Sequence, residues 1–226
     1  MITLRVKQPA RRVSPETVDK FRDIPAAVIS DCMFRINAGG ANLRPMHGGG
    51  TVLAGPAYTV KTRPGDNLFI HKAIDLAQPG DVIVVDAGGD LTNALMGEMM
   101  LTHCETRGLA GVALFGAIRD SGHVGKHTFP VFASGVTHRG PYQDGPGEIN
   151  IPISINGMVI HPGDLIIGDD DGLMCVPFDE TESVYSEAAK RLAGENAQRD
   201  RVRNGTVDRK WIDEKLARMN YKFEYL

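Results

Sequence analysis

The chain has few of the features that mark secreted, membrane-bound or disulfide-stabilised proteins. Its 226 residues include one tryptophan and three cysteines. Cys32, Cys104 and Cys175 are odd in number and lie in apolar runs, so we expect buried thiols in a reducing compartment. No uncharged apolar stretch reaches the roughly 18 residues that a membrane span needs, and the N-terminus has no signal-peptide pattern. These absences predict a cytoplasmic protein without a membrane partner.

An excess of positive charge is also lacking. The formal net charge is −3, with 25 Lys and Arg against 28 Asp and Glu. Arg199, Arg201 and Arg203 form the densest basic cluster, but Glu195 and Asp200 interrupt it, as on a solvated helix face. Because nucleic-acid-binding domains usually carry a basic stripe or patch, we expect no nucleic-acid partner. Length and a hydrophobic content of 42% fit one globular domain, or a domain with an extended tail.

A strand-helix-strand unit lies at the centre of the chain. Residues 82–86 form a short, apolar, β-branched run that predicts a buried parallel strand, and a glycine turn follows. Residues 93–107 carry apolar side chains at helical spacing, Gly108 supplies a C-terminal stop, and residues 112–115 resume a buried strand. Because both strands of such a unit are parallel, the residues that follow them meet at one sheet edge, where open α/β sheets bind ligands.

The helix of this unit has a segment that suits an anion. Gly97 has no side chain, so a carboxylate can approach the amides of Glu98, Met99 and Met100. These amides belong to the first turn, where unpaired N–H groups and the helix dipole favour negative charge. We therefore predict that residues 97–100 bind a substrate carboxylate.

Arg119 and Asp120 follow the second strand and reach the same edge. Arginine supplies a planar, permanently charged fork, and aspartate is a hard oxygen ligand that holds Mg²⁺ or Mn²⁺ with most of its waters retained. Together with the amides, the pair would bind a 2-oxo acid, with the keto oxygen on Arg119 and the metal. A divalent ion stabilises the enolate left when the bond beside that ketone breaks. Taken alone, the pair is also typical of an ordinary surface ion pair.

The spacing of these residues resembles a known family. Glu98, then twenty residues, then Arg119-Asp120 is similar to the acid-X20-Arg-Asp signature of the metal-dependent pyruvate aldolases that split 4-hydroxy-4-methyl-2-oxoglutarate and 4-carboxy-4-hydroxy-2-oxoadipate. That family includes the regulator of ribonuclease activity A and is often labelled demethylmenaquinone methyltransferase. Its usual first acid is aspartate, which Glu98 replaces here. Further similar segments are residues 29–31, 55–60, 79–86, 116–120, 162–164 and 169–172.

The resemblance implies roles for the residues of the signature. Asp120 would be the direct metal ligand, Arg119 would bind the keto and enolate oxygen, and the amides of residues 97–100 would hold the carboxylate. Glu98 would position a water on the metal that takes the proton from the C4 hydroxyl and starts retro-aldol cleavage. Oxaloacetate decarboxylation passes through the same enolate, so the resemblance implies that side activity too. The expected enzyme is a class II pyruvate aldolase, a carbon–carbon lyase.

The resemblance also implies the fold and the assembly. We expect an α/β protein, a layered α/β/β sandwich with a mixed sheet like the swivelling phosphohistidine domain, with helical N- and C-terminal extensions. The expected domains are residues 1–178 and a helical tail of residues 179–226, whose aromatic end packs on a neighbouring subunit. Family members form trimers, sometimes paired into hexamers, with the metal site near the subunit boundary. A homotrimer or homohexamer is therefore expected.

Local patterns complete the prediction. Ser14-Pro15 starts one helix and residues 26–36 form a second. Residues 130–177 are predicted to form short, largely antiparallel strands, with Asn156-Gly157 as a hairpin turn. Residues 169–171 are three aspartates that fit a turn better than a calcium loop. Helices are expected over residues 180–202 and 210–219.

Four alternatives stay open at this stage. The acidic-glycine turn at residues 86–89 imitates an S-adenosylmethionine methyltransferase, although it lies mid-chain. Lys61, Lys72 or Lys126 would serve a Schiff-base aldolase if it were desolvated, and Lys61, in a predicted strand, is the one to test. His123 and His127 have the spacing of zinc ligands on a helix, but the glycines around them disfavour a helix. A non-catalytic, protein-binding regulator of the ribonuclease-inhibitor type would use the same fold.

Overall fold

The computed structural model describes residues 4–219 and residue 221. The chain divides into two compact units, residues 1–188 and residues 189–226, and the division falls within the long C-terminal helix. The first unit contains the sheet and the predicted site. The described part of the second unit contains the rest of that helix and one shorter helix. The domain boundary predicted after residue 178 stays a prediction. Phe223, Tyr225 and Leu226, which belong to the aromatic end of the predicted tail, lie outside the described residues.

The helices of the described residues are α1 Pro15–Phe21, α2 Ala26–Cys32, α3 Leu68–Leu76, α4 Glu98–Thr106, α5 Ser121–Val124, α6 Thr181–Arg203 and α7 Lys210–Arg218. The strands are β1 Arg44–Pro45, β2 Leu53–Thr62, β3 Val82–Asp86, β4 Ala94–Met96, β5 Gly111–Ile118, β6 Val131–Val136, β7 Gly147–Ile149, β8 Ile153–Ile155, β9 Met158–Ile160, β10 Leu165–Asp169 and β11 Gly172–Val176. None of the helices in the described part of the chain is long and apolar enough to cross a membrane.

A mixed sheet forms the middle layer, in the order β1-β6-β5-β3-β2-β10-β11, with β4 beside β5 and β7 beside β2. Strands β2, β3, β5 and β6 are parallel, whereas β10 runs antiparallel to β2 and β11. Every residue of β3 is buried because both faces of the sheet are covered. Ile83 and Val85 pack in the core with α3 and α4, and Val82 and Val84 pack in the core with the β8–β9 hairpin. The predicted α/β/β sandwich is confirmed.

The central strand-helix-strand unit is present, but its helix is shorter than predicted. Residues 94–96 form β4, which runs parallel to β5 and pairs Ala94 with Ala117 and Met96 with Ile118. The helical prediction for residues 93–97 was wrong because the pairing partner lies more than twenty residues away, outside any local pattern. Helix α4 begins at Glu98, as the glycine indicated, and ends before Gly108, whose φ of 71° fits a helix stop.

Two further expectations are corrected, and one is confirmed. Helix α2 ends at Cys32 instead of residue 36, because Phe34 and Arg35 both adopt positive φ, of 57° and 64°. The strands from residue 130 are largely antiparallel, as predicted, although β6 runs parallel to β5. Cys32 is half-buried, whereas Cys104 and Cys175 are buried as expected.

Other local predictions are confirmed. The Ser14 side chain accepts a hydrogen bond from Thr17 at the start of α1, with Pro15 as its first residue. Asn156 and Gly157 join β8 to β9 with φ values of 51° and 86°, as a tight hairpin turn requires. The three aspartates form the turn between β10 and β11. Helices α6 and α7 match the two predicted C-terminal helices within a residue or two.

Candidate active site

The residues of the signature meet at the carboxyl ends of β4 and β5. Gly97 links β4 to α4, and Arg119 and Asp120 directly follow β5. The Glu98 amide donates a hydrogen bond of 3.0 Å to Asp120 Oδ2, and Arg119 Nε lies 3.6 Å from the same oxygen. The Arg119 amide in turn donates to the Met96 carbonyl at 2.9 Å, which fixes the two segments to each other. The parallel pairing of β4 and β5 therefore brings the signature together.

Gly97 is required by close packing against these side chains. A Cβ atom at this position would lie 2.3 Å from Asp120 Oδ2 and 2.7 Å from Arg119 Cγ. Its φ of −151° and ψ of −167° are ordinary extended values that any residue adopts. Glycine is therefore needed at position 97 because the Asp120 and Arg119 side chains approach its backbone closely, and not because the backbone conformation is unusual.

Asp120 adopts a left-handed conformation, with φ 57° and ψ 33°. This conformation costs a non-glycine residue about 1 kcal/mol, although aspartate tolerates it better than most residues. Its carbonyl accepts hydrogen bonds from the His123 and Val124 amides, so the short helix α5 begins there. The turn presents the Asp120 carboxylate to the start of α4, with 41% of the side chain exposed.

The first turn of α4 supplies two further donors. The first helical hydrogen bond runs from the Leu101 amide to the Gly97 carbonyl, at 3.1 Å. The amides of Met99 and Met100 precede that bond and have no acceptor on their own helix. The Glu98 amide already donates a hydrogen bond to the Asp120 side chain. An incoming carboxylate would therefore meet the Met99 and Met100 amides, a narrower cradle than the sequence predicted.

Asn67 belongs to the same site, and the sequence analysis missed it. Its side chain is 2% exposed and donates hydrogen bonds to the Leu95 carbonyl at 2.9 Å and to Met100 Sδ at 3.2 Å. Its Oδ1 is buried without a hydrogen-bond partner among the described residues. The small cleft that it lines also contains Gly97, Arg119 and Pro141. An asparagine before a helix usually caps it, but this one makes no cap bond to α3.

The oxygen donors at this edge suit a hard divalent cation. Within residues 4–219 and 221, no group of three or more His, Cys, Asp or Glu side chains is arranged to hold a metal. Mg²⁺ and Mn²⁺ do not need such a group, since one or two carboxylates and several waters satisfy them. Asp120 offers such a carboxylate, and the Glu98 carboxylate, on a side chain 48% exposed, lies on the adjacent turn. Zinc would require more protein ligands.

His123 and His127 also lie close to each other. Their rings stack, with centroids 4.0 Å apart and an angle of 21° between the planes. His123 lies in α5, so the expectation that Gly122 and Gly125 exclude a helix there was wrong for residues 121–124. The left-handed Asp120 starts this turn and Gly125 ends it. His123 Nδ1 lies 3.5 Å from Glu98 Oε1.

Groups that would serve other chemistries are engaged or buried. Lys61 is half-exposed and pairs with Asp86, so it lacks the desolvated surroundings that a Schiff-base lysine needs. The buried Asp86 also accepts a hydrogen bond from the Gly88 amide at 3.0 Å, so its oxygens are not open to a nucleotide. Burial raises the pKa of the Cys104 thiol on α4 to about 12, which keeps it protonated and unreactive.

This chain is similar to known proteins in sequence and in fold. A family model described as RraA-like, Aldolase/RraA, matches residues 26–175. A Halalkalibacterium halodurans protein provisionally named 4-hydroxy-4-methyl-2-oxoglutarate aldolase is 41% identical over 181 residues, 80% of this chain and 86% of the relative. A 4-hydroxy-4-methyl-2-oxoglutarate aldolase of Thermus thermophilus is 31% identical over 130 residues, 58% of this chain and 79% of its own.

A solved structure with the same fold is that of Streptomyces coelicolor RraAS2, described as an unusual member of the RNase ES inhibitor RraA protein family. It has a TM-score of 0.76 and 26% identity, and the match covers 84% of this chain and 99% of that one. Fold and site thus define an α/β/β sandwich with a charged cleft at the carboxyl edge of its parallel strands. The chain belongs to the Aldolase/RraA family, which confirms the predicted family.

Proposed function

We propose that the protein is a divalent-metal-dependent, class II pyruvate aldolase. It would cleave a 4-hydroxy-2-oxo diacid or triacid of the 4-hydroxy-4-methyl-2-oxoglutarate type and release pyruvate. The observation that carries this proposal is the convergence of Arg119, Asp120 and the start of α4 around Gly97, where the Glu98 amide lies 3.0 Å and Arg119 Nε lies 3.6 Å from Asp120 Oδ2. The names of the aldolase relatives support the same reaction.

Substrate binding would use the backbone and Arg119. The C1 carboxylate would accept hydrogen bonds from the Met99 and Met100 amides, where the helix dipole adds a favourable field. The Arg119 guanidinium would then donate to the C2 keto oxygen. Asn67 lines the same cleft, and its Oδ1 has no hydrogen-bond partner among the described residues. This oxygen would accept a hydrogen bond from a donor group of the bound substrate. These contacts orient the C3–C4 bond of the substrate for cleavage.

Asp120 would hold Mg²⁺ or Mn²⁺, and a bound divalent ion would supply Lewis-acid stabilisation of negative charge on the keto oxygen. The peptide groups prepare Asp120 for this role. The Glu98 amide bonds one carboxylate oxygen, and the left-handed backbone fixes the direction of the side chain. The Arg119 guanidinium, on a side chain that is 45% exposed, would donate a hydrogen bond to the same keto oxygen.

The proposed reaction requires one proton removal and one proton return. The C4 hydroxyl proton would pass to a water that donates a hydrogen bond to Glu98, and that water would pass its own proton to the Glu98 carboxylate. The C3–C4 bond then breaks, C4 becomes a carbonyl carbon of the leaving 2-oxo acid, and the bonding electrons form the C2–C3 enolate. Arg119 would stabilise the enolate oxygen, and the proton returned from Glu98 through the same water to C3 gives pyruvate. Oxaloacetate would lose carbon dioxide through the same enolate.

Pyruvate release tests the proposed function. We expect the purified protein with Mg²⁺ or Mn²⁺ to release pyruvate from 4-hydroxy-4-methyl-2-oxoglutarate, 4-carboxy-4-hydroxy-2-oxoadipate or oxaloacetate, measured with a coupled lactate dehydrogenase assay. Excess chelator should abolish the release, and added Mn²⁺ should restore it. Absence of metal-dependent release from every one of these acids would contradict the proposal. It would favour a protein-binding regulator, the alternative that the RraA neighbours support.

The proposed assembly is a homotrimer or homohexamer whose neighbouring subunits complete the site. The exposure of Met99 beside the cleft supports this assembly, because the residue is 78% exposed in the single chain. A lone subunit would leave this apolar side chain in water beside the proposed substrate carboxylate.

A further inference from the structure

We propose that His123 is a positioning residue that holds the Glu98 carboxylate over the site. This inference rests on the proposed function, in which Glu98 holds the water that receives the C4 hydroxyl proton. The observation behind it is the 3.5 Å separation of His123 Nδ1 and Glu98 Oε1 across two different elements, α5 and α4.

The backbone places His123 at this distance from Glu98. The His123 amide donates to the Asp120 carbonyl at 2.9 Å, in the turn that follows β5. The Glu98 amide donates to the Asp120 side chain at 3.0 Å. Both residues are thus anchored to Asp120, one through its backbone and one through its carboxylate. A contact between their side chains closes a ring of interactions around the proposed metal ligand.

The His123 ring has a second side-chain contact. It stacks on His127, with 4.0 Å between centroids and nearly parallel planes. The His127 amide donates to the Val124 carbonyl at 3.1 Å, so the same turn places His127 beside His123. Both rings line a cleft together with Leu101, Thr102, Glu105, Val124, Phe129 and Val131. These neighbours restrict the imidazole, whose Nδ1 lies 3.5 Å from Glu98 Oε1.

Glu98 needs such a partner because its side chain is long and half-exposed. A glutamate has three rotatable side-chain bonds, and each unfixed bond divides the population among several rotamers. A neutral imidazole with its proton on Nδ1 donates a hydrogen bond to a carboxylate and leaves that group ionised as an acceptor. His123 would thereby select the rotamer in which Glu98 faces the substrate. It would act on the reaction through Glu98 and would not touch the substrate.

Kinetics of His123 variants test this role. For His123→Ala we expect kcat to fall about 10-fold, with the substrate KM and the Mn²⁺ affinity unchanged, since binding uses Arg119, Asp120 and the amides. His123→Asn places an amide donor near the position of Nδ1 and should recover most of the loss. His161→Ala removes an exposed histidine elsewhere and should match the wild type. Equal kcat for His123→Ala and wild type would overturn the proposal.

A double-mutant cycle separates positioning from general destabilisation. Glu98→Asp shortens the side chain by one methylene and withdraws its carboxylate from His123. In that background His123→Ala should cost less than twofold, whereas two independent effects would multiply. A full 10-fold loss in the Glu98→Asp background would mean that His123 acts elsewhere, and would reject the pairing.

Ring nitrogen NMR tests the pairing without any activity. At about pH 8.5, above the ordinary histidine pKa, the ¹⁵N spectrum of His123 should show the proton on Nδ1. Glu98→Ala should shift the proton to Nε2. A tautomer that is Nε2–H in both proteins would overturn the inference even if the protein is an active aldolase. An inactive wild type with the Nδ1–H tautomer would instead reject the proposed function and retain the pairing.

Discussion

Asp120→Ala should lower kcat/KM for pyruvate release by about 10³-fold, or about 4 kcal/mol at the transition state. The substitution removes the carboxylate proposed to hold the divalent ion and also leaves the Glu98 amide without its 3.0 Å acceptor. Calorimetry should show that Mn²⁺ binding is lost with the activity. Circular dichroism should show an unchanged fold, because the Asp120 side chain lies at the surface with 41% exposure.

Two variants control this experiment. Asp120→Asn keeps an oxygen that accepts from the Glu98 amide but loses the charge, so it should be nearly as inactive as Asp120→Ala. Asp170→Ala removes an exposed aspartate from the turn between β10 and β11 and should keep full activity. If Asp120→Ala retained a third or more of the wild-type activity together with Mn²⁺ binding, Asp120 would not be the metal ligand.

Gly97→Ala should abolish activity almost as completely, by about 10²- to 10³-fold, in a protein that still folds. The new methyl group would lie 2.3 Å from Asp120 Oδ2 and 2.7 Å from Arg119 Cγ. Both contacts are with side chains that are more than two-fifths exposed, so these side chains can move outwards. We expect the free energy of unfolding to change by about 1 kcal/mol at most. The loss of activity would come from the displaced Asp120 and Arg119 side chains, and not from unfolding.

Gly122→Ala is the matched control for Gly97→Ala. Gly122 lies on the same edge of the sheet, in α5, and an added Cβ would meet nothing within 4 Å. Its activity should stay within about twofold of the wild type. A Gly97→Ala protein with wild-type kcat/KM would show that the close approach of Asp120 and Arg119 to this backbone has no part in the reaction.

The parts of the site that local sequence patterns specify were predictable. Residues 82–86 and 112–115 are apolar runs too short for helices, and both are buried parallel strands. Their parallel arrangement was enough to predict that the start of α4 and the Arg119-Asp120 pair share one edge of the sheet, whereas the contact between Glu98 and Asp120 depends on the pairing of β4 with β5. Strand β4 was not predictable, since Leu95 and Met96 also fit the helical spacing that continues into α4. Its strand conformation depends on pairing with residues 117 and 118, which no local pattern contains.

Two side chains of the site escaped prediction for a different reason. An asparagine that precedes a helix is usually a cap, yet Asn67 points into the cleft because its amide group bonds to Leu95 and Met100. His123 was considered only with His127, as a zinc ligand, since four-residue spacing is typical of helical metal sites. Its contact with Glu98 depends on the left-handed turn at Asp120, which places α5 against α4. Contacts between residues far apart in the sequence determine the positions of both side chains.

Deuterium exchange into pyruvate tests most directly whether this cleft forms a pyruvate enolate. The measurement does not depend on the identity of the leaving fragment, because in the proposed site pyruvate alone would occupy the amides, Arg119 and the metal. In D₂O with Mg²⁺, the wild-type protein should remove the methyl proton signal of pyruvate from the NMR spectrum. Chelator and Asp120→Ala should each prevent that loss. Exchange no faster with the protein than with Mg²⁺ alone would contradict enolate formation at this site.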